Sequence, residues 1–307
     1  MQTAIITGAT SGIGVSLIEA CRKHGCKVIA VARRNSPNIQ RLEQFQGLCI
    51  VEGGLAELRQ FVLARCLAKD SVFYHLAWSD TDKVGRNDPQ LQQKNIASTM
   101  DALRLAKELG CRQFVGAGSQ AEYGVHIGPK TGPDSPACPN TAYGICKYAA
   151  GRLGAMLAEQ LGIDFSWVRI FSVYGEYDLP GTLIQSTIAK LIQGEHCSFT
   201  EGTHLWDYLY SADAGKALYL IGEKVAGTHV YCLGSGQARL LREYICEMRD
   251  MIRPEAVLGL GEIPYSDQNR FDLCADIASL QKDTGWKPET DFQMGIRYIL
   301  EKGRKPG

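Results

Sequence analysis

The amino-acid sequence predicts an α/β protein, with a Rossmann-like, doubly wound parallel sheet and a smaller C-terminal substrate lobe. The first observation is a glycine-rich turn near the start of the chain, between a short β-rich run and an amphipathic stretch. The second is that apolar β-type runs alternate with helical patterns as far as Phe171. Such alternation is typical of parallel sheets whose helices cover both faces. The 307 residues suffice for one large domain or a domain and a half.

The individual elements follow from hydrophobic periodicity. Predicted strands are Thr3–Thr7, Lys27–Ala32, Leu48–Val51, Val72–Ala77, Gln113–Gly118, Asp164–Phe171 and His229–Leu233. Predicted helices follow the glycine-rich turn through Cys21 and cover Leu91–Leu109, Ala142–Leu161, Ile184–Ile192, Ala212–Ile221, Leu240–Met251 and Phe292–Glu301. We expect residues 1–171 to form the dinucleotide-binding domain, to which later segments return. Residues 172–307 should form mainly the substrate-binding lobe.

Composition limits the classes of function. The 33 basic and 33 acidic residues balance, whereas a nucleic-acid-binding protein usually has a basic excess. The N-terminus lacks the pattern of a signal peptide, and no stretch approaches the roughly 20 apolar residues of a membrane span. The 11 cysteines form no CxxC pair or Cys/His cluster. We therefore expect a reduced, cytoplasmic protein without a metal site, nucleic-acid partner or membrane association.

The glycine-rich turn predicts a dinucleotide site. Gly8 permits the tight turn, while Gly12 and Gly14 would let the backbone approach a pyrophosphate and a neighbouring strand. The helix that follows offers free N–H groups and the positive end of its dipole to phosphate oxygens. We expect Gly8, Ser11, Gly12, Ile13 and Gly14 to bind the cofactor.

The end of the second strand bears on the choice of cofactor. Enzymes that prefer NAD usually place an acidic residue there to hold the ribose 2′-hydroxyl group. This sequence instead continues from Ala32 into Arg33 and Arg34. Two guanidinium groups suit a 2′-phosphate, so we expect NADP(H) to be preferred, with NAD as the alternative.

A tyrosine and a lysine four residues apart predict the reaction centre. Tyr143 and Lys147 lie on one face of the predicted helix, and Ser119 ends the strand Gln113–Gly118. The ammonium group would lower the pKa of the phenol and hold the nicotinamide ribose. Tyr143 could then exchange a proton with a carbinol or carbonyl oxygen that Ser119 orients.

Two further strand ends would border the cofactor. Leu76 and Ala77 end the fourth strand and would pass beneath it, and Phe171 ends the sixth. Ligands of doubly wound sheets bind beyond the carboxyl ends of the strands, where all of these residues are predicted to lie.

Several segments resemble the extended short-chain dehydrogenase/reductase family, also called the NAD-dependent epimerase/dehydratase family. Residues 119–124 resemble its catalytic serine segment, which ends in Tyr-Gly, and residues 139–147 its Tyr-x-x-x-Lys segment. Residues 169–175 resemble the strand end that enters the substrate lobe, and residues 206–210 the Arg-Asp-Tyr segment of that lobe. Residues 276–286 resemble the C-terminal segment of members that act on nucleotide sugars.

The resemblance implies a nucleotide-linked sugar as substrate and a homodimer formed through the helices at 91–109 and 142–161. The apolar positions of these helices could equally serve only to cover the sheet. Expected substrate-binding residues are Ser119, Tyr123, Ser172, Trp206 and Arg270. Trp206 stands where the family often has an arginine that binds the diphosphate, so Arg270 is expected to replace it.

Two other departures affect the expected chemistry. The family's adenine-contacting acid would fall at Gly54, and Glu52 is the candidate to replace it. Sugar 4,6-dehydratases have an Asp-Glu pair after the catalytic hydroxyl residue, where this chain has Gln120 and Ala121. Elimination of water is therefore not expected, although Glu122 is nearby.

The sequence thus favours NADPH-dependent reduction of a nucleotide-linked 4-keto sugar. Tyr143 would donate the proton, Lys147 would adjust the pKa of the Tyr143 phenol, and Ser119 would orient the carbonyl oxygen of the substrate. The main alternative is a nucleotide-sugar 4-epimerase with tightly bound NAD. A non-catalytic NADP(H)-binding regulator is a remote alternative, because such proteins commonly lose the tyrosine or the lysine and this chain keeps both.

Overall fold

The computed structural model describes residues 1–63, 70–82, 84–125, 130–265 and 271–303. Arg270, expected to bind the diphosphate, lies outside the described residues. The strands are β1 (Thr3–Thr7), β2 (Lys27–Ala32), β3 (Cys49–Glu52), β4 (Ser71–His75), β5 (Gln113–Ser119), β6 (Asp164–Ile170), β7 (Ser172–Tyr174), β8 (Cys197–Phe199), β9 (Leu205–Trp206), β10 (Tyr208–Tyr210), β11 (Thr228–Leu233), β12 (Arg239–Leu240) and β13 (Leu258–Leu260).

The helices account for most of the remaining regular structure. They are α1 (Gly12–Lys23), α2 (Gln40–Glu43), α3 (Leu55–Leu63), α4 (Pro89–Glu108), α5 (Ala142–Leu161), α6 (Leu183–Gln193), α7 (Ser211–Lys224), α8 (Leu241–Ile252), α9 (Ala278–Thr284) and α10 (Phe292–Gly303), with 3₁₀ turns at Gly85–Asn87 and Gln120–Tyr123. Across the described ranges, none of these helices combines the length and the apolar character that crossing a bilayer requires.

Seven parallel strands form the central sheet, in the order β11-β6-β5-β4-β1-β2-β3. Its central strands are buried on both faces, as their continuous apolar runs require. One hydrophobic cluster lies between the sheet and the α1 and α7 side, and a second lies on the side of α4 and α5. The predicted Rossmann-like α/β fold is confirmed.

Part of the C-terminal half of the chain belongs to this sheet. β11 pairs with β6, and α7 packs along α1. The remaining later elements surround a third hydrophobic cluster to which α6, α8 and α10 contribute. The division into residues 1–171 and 172–307 stays a prediction, with β11 and α7 as the segments that return to the sheet.

The sequence analysis did not identify α3 or the three small two-stranded sheets, formed by β7 with β10, β9 with β12 and β8 with β13. Each of these strands has two or three residues. Such segments are too short to show a hydrophobic period, so their pairing is decided by tertiary packing.

The carboxyl ends of the central strands bring the predicted site residues to one edge. Thr7 of β1 is in register with His75 of β4, and Ser119 of β5 is in register with Ile170 of β6. This edge also carries the glycine-rich turn between β1 and α1. The site is therefore built on the rigid end of the sheet.

The helix that carries the glycine-rich turn is held by a close contact with α7. A Cβ atom added to Gly215 would overlap the carbonyl group of Ser16 and lie 2.8 Å from the backbone nitrogen of Leu17. We expect Gly215→Ala to lower the free energy of unfolding by about 1–3 kcal/mol, the usual cost of overpacking, despite the higher helix propensity of alanine.

Urea unfolding followed by circular dichroism measures this change. Gly181→Ala is the matched control, because an added methyl group there meets no atom within 4 Å. Equal stabilities of the two variants would contradict the proposed close contact between α1 and α7.

Candidate active site

The glycine-rich turn is fixed by its own hydrogen bonds. The Ser11 hydroxyl group donates to the Gly8 carbonyl oxygen at 2.8 Å and accepts from the Gly14 nitrogen at 3.0 Å, which caps α1. Gly8 has a φ angle of +69°, and a Cβ atom there would lie 2.7 Å from the carbonyl carbon of Leu76 and 2.8 Å from the nitrogen of Ala77. The predicted residues of the turn and of the β4 end are therefore in direct contact.

The N-terminus of α1 fits the phosphates of a dinucleotide. The first N–H groups of a helix have no partner within it. Ser11 takes that of Gly14, so within the described residues Gly12 and Ile13 have the N–H groups available to phosphate oxygens. The three atoms nearest to a Cβ atom at Gly12 would all belong to Tyr177, at 3.6 Å or more. The turn thus leaves room where a pyrophosphate would lie, and the residues present fit the cofactor.

Tyr177 covers the glycine-rich turn from the C-terminal side. Its hydroxyl group accepts hydrogen bonds from Gln44 at 2.8 Å and from the ammonium group of Lys302 at 2.7 Å. The guanidinium group of Arg41 lies 5.0 Å from the centre of its ring and donates to the carbonyl oxygen of Thr10 in the turn. Segments from both halves of the chain therefore meet over the candidate cofactor site.

The end of β2 differs from the expected arrangement. The guanidinium group of Arg34 forms an exposed ion pair with Glu57, with an N–O distance of 2.7 Å. Glu57 also accepts a hydrogen bond from the backbone nitrogen of Gly54 at 2.8 Å. Arg33 and Glu52 are exposed. One of the two arginines predicted to hold a 2′-phosphate thus faces a carboxylate near the ends of β2 and β3.

Ser119, at the end of β5, and Tyr143, in the first turn of α5, lie close to each other. The Ser119 hydroxyl group is near enough to the Tyr143 phenol to influence its pKa, and the Ser119 oxygen accepts from the Ala121 nitrogen at 3.2 Å. The Thr141 side chain caps α5 by accepting from the Gly144 nitrogen at 3.1 Å. A Cβ atom at Gly144 would collide with the Ala121 carbonyl oxygen, so only glycine lets α5 begin this close to Ser119.

The pKa of Tyr143 departs from the sequence-based expectation. Burial raises the pKa of the phenol, while the hydrogen bond from Ser119 and the positive charge of Arg86 lower it. We expected Lys147 to supply the lowering charge. In the structure this contribution comes from Arg86, whose guanidinium carbon lies 4.2 Å from the centre of the Tyr143 ring.

Lys147 is buried within the site. Its ammonium group donates to the Ala117 carbonyl oxygen at 2.6 Å and lies 3.8 Å from the centre of a ring of Trp78. Burial lowers the pKa of Lys147 to about 7, with a further lowering from Arg86 and an opposing effect of Glu122. The ammonium group is thus held between the Ala117 carbonyl oxygen and the Trp78 ring.

Sequence reasoning missed three residues around this pair. Trp78 directly follows Ala77, so the strand-end rule could have found it. The fully buried amide of Gln92 accepts from the Trp78 indole at 2.8 Å and donates to the carbonyl oxygens of Asp80 and Gly85. Arg86 lies on the turn that Gln92 holds. No spacing in the sequence connects these residues with Tyr143.

Glu122 has a structural role. It is fully buried, and its Oε1 atom accepts from the Ser119 backbone nitrogen at 2.8 Å and from the Trp167 indole at 2.9 Å. Its Oε2 atom pairs with the Arg169 guanidinium group at 2.8 Å. Because these donors occupy the carboxylate, Glu122 is not placed to act as an acid or base on a substrate.

The predicted residues of the substrate side occupy two places. Tyr123 and Phe171 line a small cleft together with Phe271, and the Tyr123 hydroxyl group donates to the Gly132 carbonyl oxygen. Ser172 begins β7 opposite β10 and is half-buried. The Trp206 ring packs against Phe271, and its Nε1 atom is buried without a hydrogen-bond partner among the described residues.

Two polar residues near the site are used structurally. His75 is buried and its Nδ1 atom shares a 2.9 Å hydrogen bond with the Thr7 hydroxyl group, while burial lowers its pKa to about 3. Asn95 is also buried, and its side chain accepts from the Ser79 nitrogen and donates to the Ser79 carbonyl oxygen. Both residues brace the chain as it leaves β4.

Comparison with protein families identifies this arrangement. The model of the NAD-dependent epimerase/dehydratase family matches residues 4–234, so the chain belongs to that family. The predicted resemblance is confirmed. The chain is an NAD(P)-dependent enzyme of the extended short-chain dehydrogenase/reductase type. The hypothesis of a non-catalytic regulator is therefore not supported.

Individual relatives are distant but cover nearly all of the chain. UDP-glucuronate 4-epimerase 4 of Arabidopsis thaliana is 24% identical, over 97% of this chain and 74% of the relative. The UDP-glucose 4-epimerase of Thermotoga maritima with UDP-glucose has a TM-score of 0.85 at 20% identity, and 99% of each chain is covered. The UDP-glucuronic acid 4-epimerase of Bacillus cereus in complex with NAD has a TM-score of 0.81 at 20% identity, over 98% of this chain and 99% of that one.

The buried position of Lys147 predicts how stability depends on pH. The unfolded chain keeps the lysine protonated up to its ordinary pKa of 10.5, whereas the folded chain does so only up to about 7. Between these values the unfolded state binds more protons, so stability rises with pH. Relative to Lys147→Met, the cofactor-free wild type should gain about 2–3 kcal/mol between about pH 7 and about pH 9.

Urea unfolding of protein freed of bound nucleotide measures this difference at each pH. Lys107→Met is the matched control, because it removes an exposed lysine that also donates to a carbonyl oxygen, that of Gly162. If Lys147→Met paralleled the wild type at every pH, the buried ammonium group would have an ordinary pKa and the argument would be wrong.

Proposed function

We propose that this chain is a nucleotide-sugar 4-epimerase that retains NAD. The sequence favoured the NADPH-dependent ketoreductase and held the epimerase as the alternative. The relatives, several of which are 4-epimerases, support the alternative instead. The dinucleotide-binding turn and the Ser119–Tyr143–Lys147 group serve either reaction, so the choice depends on the cofactor and on the other acids and bases of the site.

The ion pair between Arg34 and Glu57 is the observation that carries the proposal. The argument for NADPH was the lack of an acidic residue at the end of β2 together with the two arginines that follow it. Arg34 is turned to Glu57, and the same carboxylate brings an acidic group close to the end of β2. An acid in this region favours a free ribose hydroxyl group over a 2′-phosphate. The exposed pair is weak, so it reduces the preference for NADPH without forbidding it.

Among the residues that the structure describes, no second acid/base pair is placed beside Ser119 and Tyr143, which supports epimerisation over dehydration. Gln120 and Ala121 stand where dehydratases have Asp and Glu, and Glu122 is fully engaged with Ser119, Trp167 and Arg169. Proton exchange at the reacting sugar therefore rests on Tyr143 and its neighbours. A single such centre suffices when a hydroxyl group is oxidised and the resulting ketone reduced at the same carbon.

The residues of the chain would act as follows. NAD, held at the glycine-rich turn by Gly12 and Ile13, would supply the acceptor and donor of hydride for C4 of the sugar, which is oxidised and then reduced on its other face. Tyr143 accepts the proton of the C4 hydroxyl group and later gives it back, and Ser119 holds the same oxygen. The Lys147 ammonium group leaves Ala117 to contact the ribose and to favour the deprotonated phenol. The keto sugar must rotate between removal and return of the hydride, so the protein cannot hold all of its groups in fixed positions.

The nucleotide part of the substrate would lie across the C-terminal lobe. The Nε1–H group of Trp206, which has no hydrogen-bond partner among the described residues, is a donor suited to a diphosphate oxygen, at the position where the family often has arginine. Tyr123 and Ser172 would border the sugar. Arg270 stays a proposed phosphate ligand.

Identification of the bound nucleotide tests the choice between the two reactions. The purified protein is denatured and the released cofactor is measured by mass spectrometry. We expect NAD or NADH at close to one molecule per chain, and interconversion of UDP-glucose with its C4 epimer without net change in reduced nicotinamide. An empty site, combined with NADPH oxidation by a 4-keto nucleotide sugar, would restore the ketoreductase.

Tyr143→Phe tests the assigned proton carrier. The variant keeps the ring and deletes the hydroxyl group, so turnover should fall by about 10²–10⁴-fold while NAD stays bound. Tyr148→Phe is the matched control on the same helix, because its hydroxyl group accepts a hydrogen bond from Arg152 and lies outside the site. Near-normal epimerisation by Tyr143→Phe would refute the mechanism even with NAD bound.

A homodimer is the proposed assembly. The exposed apolar residues Ile145, Leu153 and Met156 form one stripe on α5, beside α4. If this stripe is the interface, light scattering should give twice the chain mass for the wild type and the chain mass for Met156→Arg. A wild-type monomer would contradict the proposal.

The cytoplasmic location expected from the sequence stays a prediction.

A further inference from the structure

An arginine that the sequence analysis did not identify lies directly beside the proposed proton carrier. The guanidinium carbon of Arg86 is 4.2 Å from the centre of the Tyr143 ring, and the side chain is exposed. Among the described residues, no carboxylate forms an ion pair with it. The nearest carboxylates along the chain, Asp82 and Asp88, accept hydrogen bonds from backbone N–H groups of the turn and of α4. The positive charge is therefore available to a ligand.

The turn that carries Arg86 is held in place from below. The Gln92 amide donates to the carbonyl oxygen of Gly85 at 2.9 Å and to that of Asp80 at 2.7 Å, and it accepts from the Trp78 indole. The buried amide thus uses both N–H groups and its oxygen to fix the turn. A cation on a fixed support binds a ligand at a lower entropic cost than one on a free loop.

The charges around Tyr143 favour an anion. Arg86 and Lys147 both lie against the reaction centre, while the only nearby buried carboxylate, Glu122 among the described residues, is neutralised by Arg169. A guanidinium group matches a carboxylate in charge and geometry, and it can donate two parallel hydrogen bonds. In a hexuronate, the carboxyl group is attached to C5, which is the neighbour of the reacting C4. A carboxylate therefore lies next to the oxygen that Tyr143 and Ser119 hold.

We propose that Arg86 is a specificity-determining residue that binds the sugar carboxylate of a nucleotide-linked hexuronate. The proposal rests on the 4-epimerase function and narrows its substrate class from nucleotide hexoses to nucleotide hexuronates. Arg86 also acts on Tyr143 through its charge. Part of its contribution is therefore common to all substrates, and part is confined to those that carry the carboxylate.

Comparison of two substrates separates these contributions. Epimerisation of UDP-glucuronate and of UDP-glucose is measured with the NAD-loaded wild type, Arg86→Gln, Arg86→Lys and the control Arg59→Gln. The control removes an exposed arginine on α3 that pairs with Glu108. The wild type should prefer UDP-glucuronate. In Arg86→Gln the ratio of kcat/KM for UDP-glucuronate to that for UDP-glucose should fall by about 10–100-fold, chiefly through KM.

The conservative variant and direct binding complete the test. Arg86→Lys keeps the charge and loses the two-pronged geometry, so it should recover part of the ratio. Titration calorimetry with UDP-glucuronate should show the same order of affinity, and Arg59→Gln should match the wild type in both measurements. An unchanged ratio in Arg86→Gln, or a wild type that epimerises UDP-glucose and ignores UDP-glucuronate, would overturn the assignment of Arg86 and leave the epimerase standing. Absence of epimerisation with both substrates would instead refute the proposed function, and this inference with it.

Discussion

The buried carboxylate of Glu122 accepts hydrogen bonds from three sides, namely from the Ser119 backbone, the Trp167 indole and the Arg169 guanidinium group. Removing one partner of a buried ion pair leaves the other charge without compensation and typically costs about 3–5 kcal/mol. The pair joins the turn after β5 to the carboxyl end of β6, and Arg169 continues to the Tyr123 hydroxyl group. The position of the Ser119 hydroxyl group therefore depends on a residue that takes no part in the chemistry.

The same group of residues sets how closely α5 approaches the sheet. A Cβ atom at Gly151 would lie 2.6 Å from the Trp167 indole nitrogen, and one at Gly154 would lie 2.8 Å from the Phe165 ring. Together with Gly144, these glycines bring the helix into direct contact with β6 and with the turn after β5. Tyr143 and Lys147 project from the face of α5 that carries these glycines and packs against the sheet. The close packing of α5 lets Tyr143 reach Ser119, and it lets Lys147 reach Ala117.

The sequence predicts what is local and misses what is tertiary. The bounds of β1, β2 and α5 match the predicted ranges, because each is a strong periodic run with clear ends, and Thr141 and Gly162 cap α5. The sequence could place Ser119 and Tyr143 in one site, because the carboxyl ends of parallel strands lie at the same edge of a sheet and ligands bind there. Arg34, by contrast, finds its partner on α3, a helix that the sequence analysis did not identify.

The residues that surround the reaction centre show the same limit. Arg86 and Trp78 reach Tyr143 and Lys147 only through the fold of the segment between β4 and α4, and a buried amide, Gln92, helps to hold that fold. A glutamine within an otherwise ordinary helical pattern carries no signal of this role. Its three bonds become visible only when the acceptors and donors are brought together in space.

Retention of the cofactor is what distinguishes an epimerase from a ketoreductase in physical terms. A reductase must exchange its nicotinamide at each turnover, whereas an epimerase gains from a slow release because the cofactor is regenerated in place. Tyr177 lies over the glycine-rich turn and is bonded to Gln44 and to Lys302, so opening the site breaks contacts between the two halves of the chain. These contacts oppose release of the cofactor whether it is NAD or NADP. A charged residue at the end of β2 changes only the affinity for the hydroxyl or phosphate group at the 2′ position of the cofactor's ribose. The residues after β2 therefore bear on cofactor identity, while the contacts of Tyr177 bear on residence time, and the proposed reaction depends on both properties.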